Sequence, residues 1–318
     1  LPTIRPDVRA FLDMMAANPR PAMTAEFLAS IRGMSLEGMA MLDLPVGDLA
    51  VVQDVSMPGP GGEIALRLFD ARESREAGPV VVFYHGGGFC VGGIGTHAGM
   101  AAEIARQLDL PVVSVEYRLA PEHPWPAGVD DGEAAARWIA ENAVVFGREF
   151  TSLILCGDSA GGSMTIVTTL ALRDRPAALP VIVQIPLYPV TDQSRSYPSG
   201  AAFSDGYGLD AADMALFHQH YAGDQNHWRN SPLLADQTGV PPTLLVTAGL
   251  DPLRDQGRAY AAKLIEAGVA TAYREVAGMI HGFGCYRRVI PSAQADLTAV
   301  LTLAKAMIAE FVGRLEAF

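Results

Sequence analysis

The sequence predicts an α/β fold: a mostly parallel central sheet flanked by helices, with a helical cap added. Three observations lead there. From residue 80 onward, short solid apolar runs alternate with amphipathic helical patterns, as in strand–helix–strand crossovers. Before them comes a stretch of strict two-residue alternation. Between residues 187 and 241 the rhythm stops in an aromatic-rich interval with no strand signal, which reads as an insertion.

Residues 1–45 carry Val8, Phe11, Leu12 and Met15, then Phe27, Leu28 and Ile31, at helical spacings, and Pro19, Pro21, Gly33 and Gly38 interrupt them. This segment is expected to be either an arm on the surface or the N-terminal part of the cap. In 49–69, Ile64, Leu66 and Leu68 alternate with Ala65, Arg67 and Phe69 after the turn Gly59-Pro60-Gly61-Gly62. That predicts an antiparallel hairpin at the sheet edge. Apolar runs at 80–84, 112–115, 153–156, 181–187 and 243–247 predict strands buried on both faces, and a mixed run at 270–276 predicts the last strand. Helices are expected over 100–108, 132–142, 163–173, 256–267 and 293–315. The domain reading is 1–45 N-terminal part of the cap, 46–190 first part of the core, 191–235 cap insertion and 236–318 second part of the core.

The chain has 318 residues, enough for a large core without staples, and a net charge of −12. That charge disfavours nucleic acid and anionic membranes as partners, which require a basic face. Cys90, Cys156 and Cys285 are too few and too apolar in context for a disulfide framework. No apolar run is long enough to span a bilayer and no signal peptide is recognisable, so a cytoplasmic protein is expected.

The chemistry begins at Gly157-Asp158-Ser159-Ala160-Gly161, between the run 153–156 and a small, apolar helical stretch. A strand turning into a helix through G-x-S-x-G exposes its serine at the apex of a strained turn. Ala160 opens the helix, so its N–H is free to serve an anion. His85-Gly86-Gly87-Gly88 follows the run 80–84 and bares backbone N–H groups. Such donors stabilise a tetrahedral oxyanion by about 2.7–4 kcal/mol each. Gly86, Gly87 and Ala160 are the predicted oxyanion hole. A phosphate-binding turn is the rival, but the G-x-G-x-x-G spacing and the P-loop lysine are missing.

A serine hydroxyl needs a base, and the base an orienting acid. In this architecture they follow in the order Ser, Asp or Glu, His, each after a strand end. Asp251 follows 243–247 and His281 follows the last strand, so Ser159, Asp251 and His281 form the predicted triad. Asp192 is a rival acid in a variant layout, and Asp255 reads as a helix residue. His97 and His123 precede the serine and fit no slot. His218, His220 and His227 lack a Cys or carboxylate partner and read as surface histidines, so no metal is expected.

Together with Tyr117-Arg118-Leu119-Ala120-Pro121-Glu122, Pro124-Trp125-Pro126-Ala127, Asp251-Pro252-Leu253 and His281-Gly282-Phe283, these motifs resemble the hormone-sensitive-lipase-like family of carboxylesterases, in its GDSAG-type subgroup. The resemblance runs in order from about residue 80 to 283. It implies an α/β-hydrolase core, a cap built from the N-terminal helices and an insertion, and cofactor-free hydrolysis of short- to medium-chain acyl esters through an acyl-enzyme. It implies the same triad and oxyanion donors, a homodimer in many members, and cis peptides before Pro121 and Pro126. Two alternatives remain: a small-molecule receptor on the same fold, which the presence of His281 disfavours, and a serine amidase or peptidase. Phe11, Met14, Met15, Phe203, Tyr207, Met214, Phe217 and Ile280 are candidate pocket lining, with ordinary cap core as the competing reading. With no long exposed apolar stretch, short acyl chains on dissolved esters are the expected substrates.

Overall fold

The structure, a computed structural model, describes residues 3–18, 24, 26–28, 30, 32, 38 and 41–315, with side chains to 312. The hairpin forms where the alternation placed it, as β1 (Val51–Gly59) and β2 (Gly62–Asp70), closing on the Gly59–Gly62 pair. The apolar runs become β3 (Gly78–Tyr84), β4 (Val112–Val115), β5 (Phe150–Asp158), β6 (Val181–Leu187), β7 (Thr243–Leu250) and β8 (Thr271–Ile280). One eight-stranded sheet results, in the order β1-β2-β4-β3-β5-β6-β7-β8. β3 to β8 are mutually parallel, and the hairpin joins antiparallel to β4 at one edge.

The solid runs arise because both faces of the sheet are covered. Val81 and Phe83 belong to the core beneath α1 (Pro6–Ala17), α2 (Ala98–Leu108) and α8 (Pro291–Leu315). Val80, Val82 and Tyr84 face the opposite core, under α3 (Ala127–Glu141) and α4 (Ala160–Asp174). On that side α7 (Arg254–Glu266) packs Tyr260 and Leu264 against Leu245 and the α4 residues Ile166 and Leu170.

Several elements outrun their apolar signal. β5, β7 and β8 continue through Gly157, Gly249 and Gly278 to the residues that carry the chemistry. α3 and α4 start early, on Ala127-Gly128 and Ala160-Gly161-Gly162. Small residues hide a helix start from a hydrophobicity pattern, yet they let the helix approach the sheet closely.

Val8, Phe11 and Leu12 of α1 are buried, and Asp7 Oδ2 accepts from the Ser292 N–H at 2.8 Å. Arg5 pairs with Asp296, so α1 is clasped to the start of α8. Leu28 is buried in the α3–α4 core, and the Arg32 Nε donates to Cys90 O at 2.7 Å. Ile31, Pro19, Pro21 and Gly33 lie outside the described residues. Asp43 receives a two-pronged pair from Arg287 at 2.7 and 2.8 Å, with the guanidinium fully buried. The interval after β6 holds α5 (Pro198–Ala202), α6 (Ala211–Tyr221) and a single 3-10 turn, Pro232–Leu234, but no strand.

Both Ala120–Pro121 and Trp125–Pro126 are cis. In the same loop Arg118 makes a two-pronged contact to Asp131 at 2.8 Å on each arm, so it serves structure. No helix among the described residues is long and apolar enough to cross a membrane.

Candidate active site

β5 ends at Asp158 and α4 begins at Ala160, which leaves Ser159 alone in the turn at φ 52°, ψ −118°. A non-glycine residue there is strained, and the surroundings must hold it. They do: Ser159 N–H donates to Leu187 O at 2.9 Å, and its carbonyl accepts from Ser163 N at 3.0 Å. The glycines on either side are required by contact. A Cβ on Gly157 would lie 2.5 Å from Gly161 C, and one on Gly161 would lie 2.6 Å from His85 O.

Asp251 follows β7 and His281 follows β8, so the strand ends bring both to the serine. His281 Nε2 lies 2.8 Å from Ser159 Oγ, and His281 Nδ1 lies 2.8 Å from Asp251 Oδ2. Asp251 is buried, and its Oδ1 accepts from Leu253 N–H at 2.7 Å. A carboxylate only accepts, so Nδ1 carries the proton and Nε2 is left to accept from the serine. The Tyr188 ring meets the imidazole edge-on at 5.1 Å. Asp192 is engaged elsewhere, by Ser194 Oγ at 2.6 Å, Tyr197 OH at 2.6 Å and Arg195. Asp255 accepts from Ser199 N and pairs with Arg254 and Arg258.

The glycine loop departs from expectation at one position. The Gly86 N–H donates to Asp158 Oδ1 at 2.8 Å and is therefore committed away from any substrate oxygen. Gly87 and Gly88, at φ 122° and 59°, and Ala160 make no backbone N–H bond among the described residues, and Gly88 lines the cavity with Ser159 and Ala160. Of the expected donors, Gly87 and Ala160 keep a free N–H, Gly86 does not, and Gly88 offers one in its place. Three adjacent glycines look alike in sequence; only the partner of Gly86, the residue just before the serine, tells them apart.

Asp158 is itself buried, with His97 Nε2 3.5 Å from its Oδ1. Burial works to raise the Asp158 pKa, but His97, His85 and the Gly86 N–H outweigh it, and the net shift is downward. Burial works to lower that of His97; Cys285 and Asp158 outweigh it, and the net shift is upward. The neighbouring His85 is pushed down to about 3, by burial first and by His97 second. Donor atoms of His97, Asp158 and Cys285 lie within 4.8 Å of one another, a grouping with metal-ligand chemistry. The Asp158 oxygen that faces His97 is also the acceptor for Gly86, so these groups read as an ion pair serving the loop.

Ser159 opens onto a cavity of about 320 Å³. Its apolar lining includes Phe89, Val190, Leu209, Met214, Phe217 and Leu253. Of the predicted pocket residues, Met214 and Phe217 line it, both from α6. The others do not. Phe11 is core, against Tyr286 at 5.2 Å; Met14 is 46% exposed; Met15 packs on the same core as Phe11. Phe203 is buried against Tyr207 at 5.0 Å, and Ile280 is core at the end of β8. Apart from the exposed Met14, these apolar positions are satisfied by packing, in line with the competing reading. The polar wall, Asp192, Gln193, His218, Gln225 and Gln256, was not foreseen. His218, expected on the surface, bonds Gln193 Oε1 at 3.1 Å and Gln225 Nε2 at 2.7 Å. Nothing in a local pattern marks these residues, because they converge from three separate segments.

A profile of the family described as alpha/beta hydrolase fold matches residues 81–284. The chain belongs to the alpha/beta hydrolase fold family. Within it, the chain is 38% identical over 260 residues to esterase LipI of Mycobacterium tuberculosis, covering 78% of this chain and 80% of that one. It is 32% identical over 314 residues to ethyl acetate hydrolase of Pseudomonas putida, covering 94% and 98%. Among solved structures, an ester hydrolase from the metagenome of Lake Arreo superposes with a TM-score of 0.90 at 39% identity, covering 97% and 99%. The resemblance to hormone-sensitive-lipase-like carboxylesterases, drawn from the motifs, agrees with these relatives.

Proposed function

We propose that this hydrolase is a serine carboxylesterase acting on short- to medium-chain acyl esters. The observation that carries the reading is the relay of 2.8 Å contacts from Ser159 Oγ to His281 to Asp251, in the order and tautomer that acyl transfer needs. The relatives named esterase and ethyl acetate hydrolase support it. In this mechanism His281 takes the Ser159 proton as Oγ attacks the ester carbonyl. Asp251 holds the imidazole and steadies the imidazolium. The N–H groups of Gly87, Gly88 and Ala160 receive the oxyanion. His281 then gives its proton to the leaving alcohol and afterwards activates a water that releases the acid.

The cap is part of the same proposal. Its insertion contributes Met214 and Phe217 to the cavity wall, and its N-terminal part reaches Cys90, two residues past the glycine loop, through Arg32. A cytoplasmic setting fits three free, buried cysteines, and a homodimer follows the family resemblance. Ser159→Ala is expected to lower kcat on p-nitrophenyl butyrate by roughly 10⁴–10⁶ with folding intact. A rate within about tenfold of the parent would remove Ser159 from the chemistry.

A further inference from the structure

Gln256 stands in the first turn of α7, is only 7% exposed and borders the cavity that holds Ser159. Its amide has a settled orientation. Oε1 accepts two backbone N–H groups of the loop after β6, Thr191 at 2.6 Å and Asp192 at 2.9 Å. Only an oxygen satisfies two donors, so the nitrogen is turned the other way. That Nε2 carries two N–H donors and has no acceptor among the described residues. It is not among the sealed, unpartnered polar atoms either, so it is reachable.

The other polar side chains of this wall are already paired. His218 lies between Gln193 and Gln225, and Asp192 is held by Ser194, Tyr197 and Arg195. Gln256 is different: it is fixed in advance by the backbone and keeps donors for a ligand. A fixed donor facing a largely apolar cavity costs little ordering on binding, and it discriminates strongly when a substrate offers or withholds an acceptor.

We infer that Gln256 is a specificity-determining residue: its Nε2 binds a second oxygen of the substrate, beyond the scissile ester. The favoured substrates are then oxygenated esters, carrying an ether, carbonyl or hydroxyl oxygen in the acyl or the alcohol chain, over plain alkyl esters of equal length. The inference rests on the esterase reading of the same cavity.

The test compares matched pairs. On the acyl side the pair is p-nitrophenyl pentanoate and the isostere with an ether oxygen in place of one chain methylene. On the alcohol side it is pentyl acetate and its ether isostere. Oxygen is less apolar than methylene, so the informative quantity is how a substitution changes the ratio of kcat/KM within a pair. Gln256→Glu, assayed at alkaline pH, keeps the acceptor for Thr191 and Asp192 and removes the donor. Gln256→Met removes the donor without adding charge. Each is expected to lower the oxygenated-to-alkyl ratio about tenfold for one of the two pairs, mainly through KM. The pair affected identifies the chain that Gln256 reads. Ratios within twofold of the parent for both pairs, in whichever variant retains the parent's melting behaviour, overturn the inference. If neither variant folds, the side-chain amide resonance of Gln256 in the parent decides, titrated with the two trifluoromethyl ketone isosteres of the acyl pair and the two of the alcohol pair. A shift with an ether ketone and not with its alkyl partner supports the inference; no difference within either pair overturns it. A parent that cleaves none of the esters refutes the esterase reading instead, so the two failures are distinguishable.

Discussion

Gly161→Ala tests how tightly the serine turn is joined to the glycine loop. An added Cβ would lie 2.5 Å from the Tyr84 carbonyl carbon, 2.6 Å from His85 O and closer still to Tyr84 O. All three are backbone atoms at the end of β3, so no side chain can swing aside. Real Cβ atoms stay beyond 3.0 Å, so the gap must open by more than 3.0 − 2.5 = 0.5 Å. The two parts forced apart are α4 with the Ser159 turn at its start, and the strand that leads into Gly86–Gly88. Ser159 and the Ala160 N–H would move away from the Gly87 and Gly88 N–H groups, the other proposed oxyanion donors. Overpacking of this kind destabilises by about 1–3 kcal/mol, and misplacement approaching 1 Å lowers the rate up to about 10²-fold. The expected result is a tenfold to hundredfold fall in kcat on p-nitrophenyl butyrate, with a lower urea midpoint. Gly162→Ala is the control, because its Cβ would meet Leu187 O at a milder 3.0 Å. A Gly161→Ala protein with kcat within about threefold of the parent and an unchanged midpoint would refute this account of the turn.

Two further outcomes follow from buried charge. Asp43→Ala takes the paired carboxylate from the fully buried Arg287 guanidinium and leaves it Gln294 Oε1 at 3.3 Å and Glu103 at 3.9 Å. A loss of about 3–5 kcal/mol in chemical denaturation is expected, and a loss below about 1 kcal/mol would contradict the assignment. His97 has its pKa raised in the folded state, against burial, by Cys285 and Asp158. Its contribution to stability is therefore complete below an unfolded value of about 6.5 and is lost as pH rises through the higher folded value. The difference in unfolding free energy between parent and His97→Gln should shrink across the neutral-to-alkaline range; a difference that is flat there speaks against the pair.

The inner strands were legible because they are apolar on both faces, the edge hairpin because it alternates, and the proposed triad because Ser159, Asp251 and His281 each stand a few residues past a strand run. The oxyanion loop was legible as a loop but not in detail. Which glycines keep a free N–H depends on Asp158, seventy-odd residues away, taking that of Gly86. The cavity wall was least legible. Phe11 and Ile280 have the same apolar character as Met214 and Phe217, and only packing decides which of them reach the cavity. His218 and Gln256 carried no local signal, since each acquires its setting from backbone or side chains of another segment.

The hydrogen bond from Gly86 to Asp158 also limits how this enzyme can be altered. It ties the glycine loop to the residue just before Ser159, so a shift of one pulls on the other. Attempts to admit bulkier acids by loosening that loop would drag Ser159 out of line with its base. Room for larger groups is better sought on the opposite wall, where Met214 and Phe217 project from a short helix that carries none of the reacting atoms.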